Sequence, residues 1–120
     1  MAKDIRAQLN KILEEYAEDI QDVLDDNAQA VAREAAKEIK SKAPRRTGEY
    51  AAGITTKLTS KGRTGKTYTV YNKNKPQLTH LLEHGHAKVN GGRVAGTPHW
   101  APAEETAIRE YEDRIVRAIE

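Results

Sequence analysis

Apolar residues recur in steps of three and four at Ile5, Leu9, Ile12, Leu13, Tyr16, Ile20, Val23, Leu24, Val31 and Ile39, with Ala28, Ala30, Ala32, Ala35 and Ala36 filling the later turns. That spacing is the signature of one helical face. No Gly or Pro interrupts it before Pro44, so it predicts a helix over residues 1–43, about 60 Å long if unbroken. A compact domain of this size cannot bury so long a stripe. The helix therefore either bends at Asp25-Asp26-Asn27, three poor helix formers in a row, or projects and packs on another subunit. Leu13, Tyr16, Ile20, Val23 and Leu24 are the candidate oligomer interface.

The pattern then changes period. Pro44 and Gly48 end the helix and open a basic turn. Ile54 to Thr59 and Lys66 to Asn72 alternate with period two and are rich in Thr, Val, Ile and Tyr, as strands are. Ser60 to Gly65 between them read as a six-residue loop, giving a hairpin whose tip carries Lys61, Arg63 and Lys66. Gln77 to His84 fit two helical turns stopped by Gly85, and Ala87 to Val94 fit a short strand pair around Asn90-Gly91-Gly92. Pro102 suits the first turn of a last helix with Ile108, Tyr111, Ile115 and Ile119 on one face, supported by the pairs Glu105/Arg109, Glu110/Arg114 and Asp113/Arg117. The expected architecture is α+β and a single domain over 1–120. A long N-terminal helix (1–43) and a C-terminal helix (99–120) pack on a small antiparallel β-sheet within a basic hairpin and glycine-loop region (44–98).

Composition narrows the function. A chain of 120 residues buries roughly 65% of its unfolded surface, enough for one modest core. Hydrophobic residues make up 38%, aromatics 5% with no Phe, and charged residues 32%, a thin core under a large charged surface that suits a subunit completing its burial against neighbours. The absence of cysteine removes disulfides and thiolate metal sites. Nothing in MAKDIRAQLNK has the apolar core of a signal peptide, and no stretch approaches a membrane span, so a soluble chain without a membrane partner is expected. The net charge of +2 conceals a division: residues 1–43 carry −3, residues 44–98 carry +8 and residues 99–120 carry −3. Glu14, Glu15, Glu18, Asp19, Asp22, Asp25 and Asp26 form an acidic run without a Lys or Arg. It is either a solvated helix face or a face that meets the basic middle of a neighbouring subunit.

Two motifs imitate catalytic sites. His80-Leu81-Leu82-Glu83-His84 matches the H-x-x-E-H of inverted zinc peptidases, with His86 and His99 as further nitrogens; those enzymes are far larger, and a core this thin can hardly enclose a zinc pocket. Gly62-Arg63-Thr64-Gly65-Lys66-Thr67 resembles the end of a phosphate-binding loop, but Ser60 stands where its first glycine belongs and Lys66 leads into a strand rather than a helix. No catalytic, cofactor-binding or metal-binding residue is assigned. A small basic DNA-binding protein is the stronger alternative, since Lys61, Arg63 and Lys66 share a loop able to reach phosphates. Against it, Tyr68 and Tyr71 fall on opposite faces of one strand, and no reading helix carries the charge.

Pro44, Thr47 and Gly48 followed by Ile54, then His80-Leu81-Leu82-Glu83-His84-Gly85, then Gly91-Gly92 and Pro98-His99-Trp100-x-Pro102-Ala103, come in an order that resembles the tail-completion (head–tail joining, neck) proteins of tailed bacteriophages, a minor tail component family. The resemblance spans most of residues 1–120. His84 departs from it, standing where an aromatic is common, and the acidic run is not among its signatures. It implies a small non-enzymatic virion protein, assembled in the host cytoplasm, that sits in a ring of copies of itself, touches other neck and tail proteins and lies near packaged DNA. The residues it marks as structural are Pro44, Thr47, Gly48, Glu83, Gly85, Gly91, Gly92, Pro98, Trp100 and Pro102. Independently, a carboxylate in the last turn of a short helix opposes the helix dipole, so Glu83 calls for a partner such as Arg45, Arg46 or the glycine-loop amides. Trp100 is expected to anchor the last helix by burial.

Overall fold

The computed structural model describes residues 5–45, 48–62 and 65–119. The elements run α1 (Ile5–Lys42), α2 (Glu49–Ala52), β1 (Ile54–Gly62), β2 (Gly65–Asn72), α3 (Leu78–His84), β3 (Gly85–Ala87), β4 (Arg93–Ala95) and α4 (Trp100–Ile119). The class is α+β, with antiparallel pairs β1–β2 and β3–β4.

α1 is one uninterrupted helix of 38 residues, unbroken at Asp25–Asn27, and its first half projects from the rest of the chain. Lys40 and Lys42 in its last turn favour the dipole. Pro44 then prevents continuation, because the residue before a proline is pushed out of the helical region. Only the second half of α1 is covered. Val31, Ala32, Ala36 and Ile39 are buried, whereas Ile5, Leu9, Ile12, Leu13 and Tyr16 are all more than half exposed. The molecule accordingly measures 86 × 25 × 23 Å, with a radius of gyration of 20.8 Å where a compact chain of this length would have about 14 Å.

The core consists of Ala36, Ile39, Ala43, Tyr50, Ala51, Ile54 and Ala103, with Val70, Leu78, Leu82 and Trp100 half-buried against it. Four of its seven members are alanines, which lets helices approach closely but supplies little apolar area. The last helix lies mainly along α1, where Arg114 reaches Glu34 at 2.7 Å, and brings Ala103 and Trp100 into the same core as Ile54 and Val70 of the sheet. The expected pairs Glu105/Arg109 and Glu110/Arg114 form, at 3.8 and 3.1 Å, but Arg117 reaches Glu110 (3.7 Å) and the carbonyl of Asp113 instead of the Asp113 carboxylate.

The hairpin is longer than its sequence suggests. Pairing continues through Ser60↔Thr67 and Lys61↔Lys66 to Gly62↔Gly65, with one bulge between Leu58 and Ser60, so most of the expected six-residue loop is strand. Arg63, between the strands, lies outside the described residues, as do Arg46 and Thr47. Tertiary contact overrides the weak local propensity: the buried Asp25 carboxylate of α1 accepts the Lys66 amide at 3.0 Å and the Gln21 side chain at 3.0 Å, clamping the hairpin end to the helix. At the other end, Asn72 donates to the Tyr50 carbonyl at 2.6 Å and accepts the amides of Asn74 and Lys75, turning the chain out of β2. Removing the Asp25 acceptor leaves a strand amide unpaired, which costs roughly 1–3 kcal/mol. We therefore expect Asp25→Ala to lower the urea midpoint correspondingly, and an unchanged midpoint would mean that the clamp contributes nothing.

Candidate functional site

Two features distinguish this molecule: a projecting apolar arm and a buried polar junction. The arm is the first half of α1, where Leu13 (62% exposed) and Tyr16 (65%) of the expected interface stand free. Ile20, Val23 and Leu24 are half-buried near the hairpin end, so the open stripe is displaced toward Ile5, Leu9 and Ile12 relative to expectation. Of the acidic run on this helix, only Asp25 is buried.

The junction forms where α3 meets the start of α4. Glu83 accepts the amides of His99 (2.8 Å) and Trp100 (2.9 Å) on Oε1 and that of Ala101 (3.0 Å) on Oε2. It thereby satisfies amides that a helix start leaves without intrahelical partners, and places a negative charge at the positive end of the α4 dipole. Among the described residues its partner is thus the α4 start, not the glycine loop and not Arg45, which donates to the Lys40 carbonyl; Arg46 lies outside them. Burial pushes the Glu83 carboxyl up, but the three amides and the adjacent His99 ring outweigh it and hold the group below its ordinary value.

His99 is fully buried, whereas Trp100 is only half-buried, so the anchor of α4 is the histidine rather than the tryptophan. Its Nδ1 lies 2.7 Å from the Thr97 carbonyl and 3.1 Å from Glu83 Oε1. A carbonyl only accepts, so Nδ1 carries a hydrogen. The Tyr50 hydroxyl then donates to Nε2 at 2.8 Å and accepts from Trp100 Nε1 at 2.9 Å. Every polar atom in the chain Glu83–His99–Tyr50–Trp100 has a partner, and the ring has no access to solvent. This is how a small core holds a helix in place with hydrogen bonds. Nothing in the sequence marks Tyr50 as a participant; the signals for this junction are Glu83, a carboxylate in an unfavourable helix position, and Trp100.

The zinc resemblance fails on this geometry. His80 and His84 are exposed with ring centroids 4.7 Å apart, while Glu83 turns inward to α4. Among the described residues no three His, Asp or Glu side chains gather as a metal site. The phosphate-loop resemblance fails too, because Gly62 and Gly65 are paired strand residues and a strand follows.

Of the residues marked as structural, Pro44 and Gly48 (φ +82°) line a cavity of about 430 Å³ with Tyr50, Leu78 and Leu82. Gly85 has φ +80°, and any Cβ there would meet the Val94 carbonyl across the β3–β4 pair. Gly91 and Gly92 make the turn of that pair. Pro102 sits in the first turn of α4, and Pro98 is exposed before it. On the hairpin, Lys61 and Lys66 stand opposite each other, both exposed, and among the described residues neither has a carboxylate within ion-pair distance. Tyr68 lines a groove against α1 and α4 while Tyr71 carries Lys57 over its ring at 4.6 Å, so the two tyrosines do face opposite ways. Among the described residues no helix is long and apolar enough to cross a membrane.

A family model described as "Bacteriophage HK97-gp10, putative tail-component" matches residues 3–85. The match runs from the arm through the hairpin to the end of α3, and α4 lies beyond it. No curated protein and no solved structure matches the chain. The model accounts for more than two thirds of the sequence, so the chain belongs to the HK97-gp10-like family of bacteriophage tail components.

Proposed function

We propose that this tail component completes the tail or joins head to tail at the neck by assembling into a ring of identical copies, as a virion structural protein with no chemistry of its own. The observation that carries the reading is the arm: five large apolar side chains in helical register, all more than half exposed on an otherwise charged helix. A contiguous apolar surface of this kind marks an association site. Covering it recovers roughly 1.5–3 kcal/mol per side chain fully removed from water, before association costs are subtracted. Assembly takes place in the host cytoplasm, and other neck and tail proteins meet the completed ring. Native mass spectrometry tests this directly. A discrete closed oligomer is the expected result, and a monomer at all accessible concentrations would end the reading.

The basic hairpin end supports a second, subordinate role, contact with packaged DNA or a neighbouring protein. Lys61 and Lys66 are exposed and unpaired among the described residues, and Arg63 adjoins them in sequence. Replacing Lys61, Arg63 and Lys66 together with Ala is expected to change folding by less than about 1 kcal/mol while lowering the yield of joined heads and tails. Any DNA affinity should be weak, indifferent to sequence and steeply reduced by salt. Sequence-selective binding that survives physiological salt, measured by fluorescence anisotropy on two unrelated duplexes, would favour a dedicated DNA-binding protein instead.

A further inference from the structure

The molecule leaves a second apolar surface uncovered besides the arm. Between the covered half of α1, the inner face of β2 and α4 lies an open groove of about 520 Å³, walled by Val31, Tyr68, Val70, Trp100, Ile108 and Tyr111. Ile108 on its α4 wall is 53% exposed. The chain cannot fill this groove with its own arm, since α1 runs unbroken from Ile5 to Lys42 and carries the arm away from it. Among the described residues each chain therefore offers a free apolar stripe and a free apolar groove, at different parts of an elongated molecule.

Their charges match. The helix advances about 100° per residue, which places Glu15 and Asp19 along one flank of the stripe formed by Ile5, Leu9, Ile12 and Tyr16, and Arg6 along the other. The charged residues that line the groove are acidic, and lysines stand beyond its hairpin end. Glu104 and Glu112 lie on its α4 side. Past its hairpin end, Lys66 precedes Tyr68 by two residues on the same face of β2, and Lys61 stands opposite Lys66. Two arms packed antiparallel on each other would instead bring their acidic flanks together, and arm-on-arm pairing in either direction would leave both grooves open.

We infer that the arm of one copy seats in the groove between α4 and the hairpin of the next copy, its acidic flank toward the lysines and Arg6 toward the α4 carboxylates. This rests on the assembly reading above and specifies its contact. Donor and acceptor surfaces differ, so the contact is heterologous and repeats from copy to copy, closing into a ring when the rotation permits.

Because the chain has no cysteine, single thiols report the contact cleanly. Leu9→Cys and Ile108→Cys both alter exposed side chains, and circular dichroism verifies that each variant is folded. Treating an equimolar mixture of the two single variants with a flexible bis-maleimide should give a covalent mixed dimer, and the double variant should give a ladder of higher species. Leu9→Cys coupling mainly to itself would show arms paired with arms and overturn the inference. So would an absence of coupling in a protein that native mass spectrometry shows to be oligomeric, an outcome that leaves the assembly reading standing. A monomer in both measurements overturns the two together.

Discussion

Leu13→Asp should abolish self-association while leaving the fold nearly untouched. Leu13 is 62% exposed on the projecting half of α1, and a polar replacement at such a position ordinarily changes folding stability by no more than about 0.5 kcal/mol. In the proposed assembly the same side chain is covered. The substitution then forfeits the burial of a leucine and also places a carboxylate in an apolar contact, so association should weaken roughly hundredfold or more. Ile20→Asp should differ, because Ile20 is half-buried beside the hairpin end, and folding and assembly should both suffer. Sedimentation velocity and thermal melts of the two variants separate the cases. An intact Leu13→Asp oligomer with a lowered melting temperature would mean that the stripe is only intramolecular core.

The elements of this fold were legible because each is written in a local period. The three-and-four spacing from Ile5 to Ile39, the alternation in Ile54–Asn72 and the stop at Gly85 each reflect backbone geometry that a short window of sequence determines. The continuity of α1 was not legible. Asp25-Asp26-Asn27 are poor helix formers, and the segment is held both locally, by Gln21 on Asp25 and Asn27 on the Val23 carbonyl, and at long range, by Asp25 on the amide of Lys66, 41 residues away. The hairpin's length was missed for the same reason, since Ser60, Lys61 and Gly62 acquire strand geometry from their partners rather than from propensity. In the junction, the dipole argument showed that Glu83 needed a partner, but residues 99–101 come beside it only once α3, the β3–β4 pair and α4 are placed in three dimensions. Trp100 misled because size is a poor guide where a smaller ring satisfies both its nitrogens; His99 is fully buried and Trp100 only half-buried.

Glu83 carries the largest expected effect on folding. It is buried and accepts three amides at the start of α4, so Glu83→Ala leaves those donors without their acceptor and removes the charge that faces the helix dipole. Loss of a charged acceptor from a buried network costs about 3 kcal/mol or more, a large fraction of the stability of a small domain. Glu83→Gln retains the shape and part of the hydrogen bonding and should cost less at neutral pH. The pH dependence gives an independent check. The folded carboxyl lies below its ordinary value, so on acidification the unfolded chain takes up the proton first. The contribution of Glu83 is therefore complete above the ordinary glutamate value of about 4.3 and is lost as pH falls through the lower folded value. Urea midpoints of the wild type and Glu83→Gln should differ clearly at pH 7 and converge as the pH falls below the ordinary glutamate range, a comparison in which the titration of the other carboxylates largely cancels. Midpoint differences that stay constant across that range would show that the charge of Glu83 does not hold α4 in place.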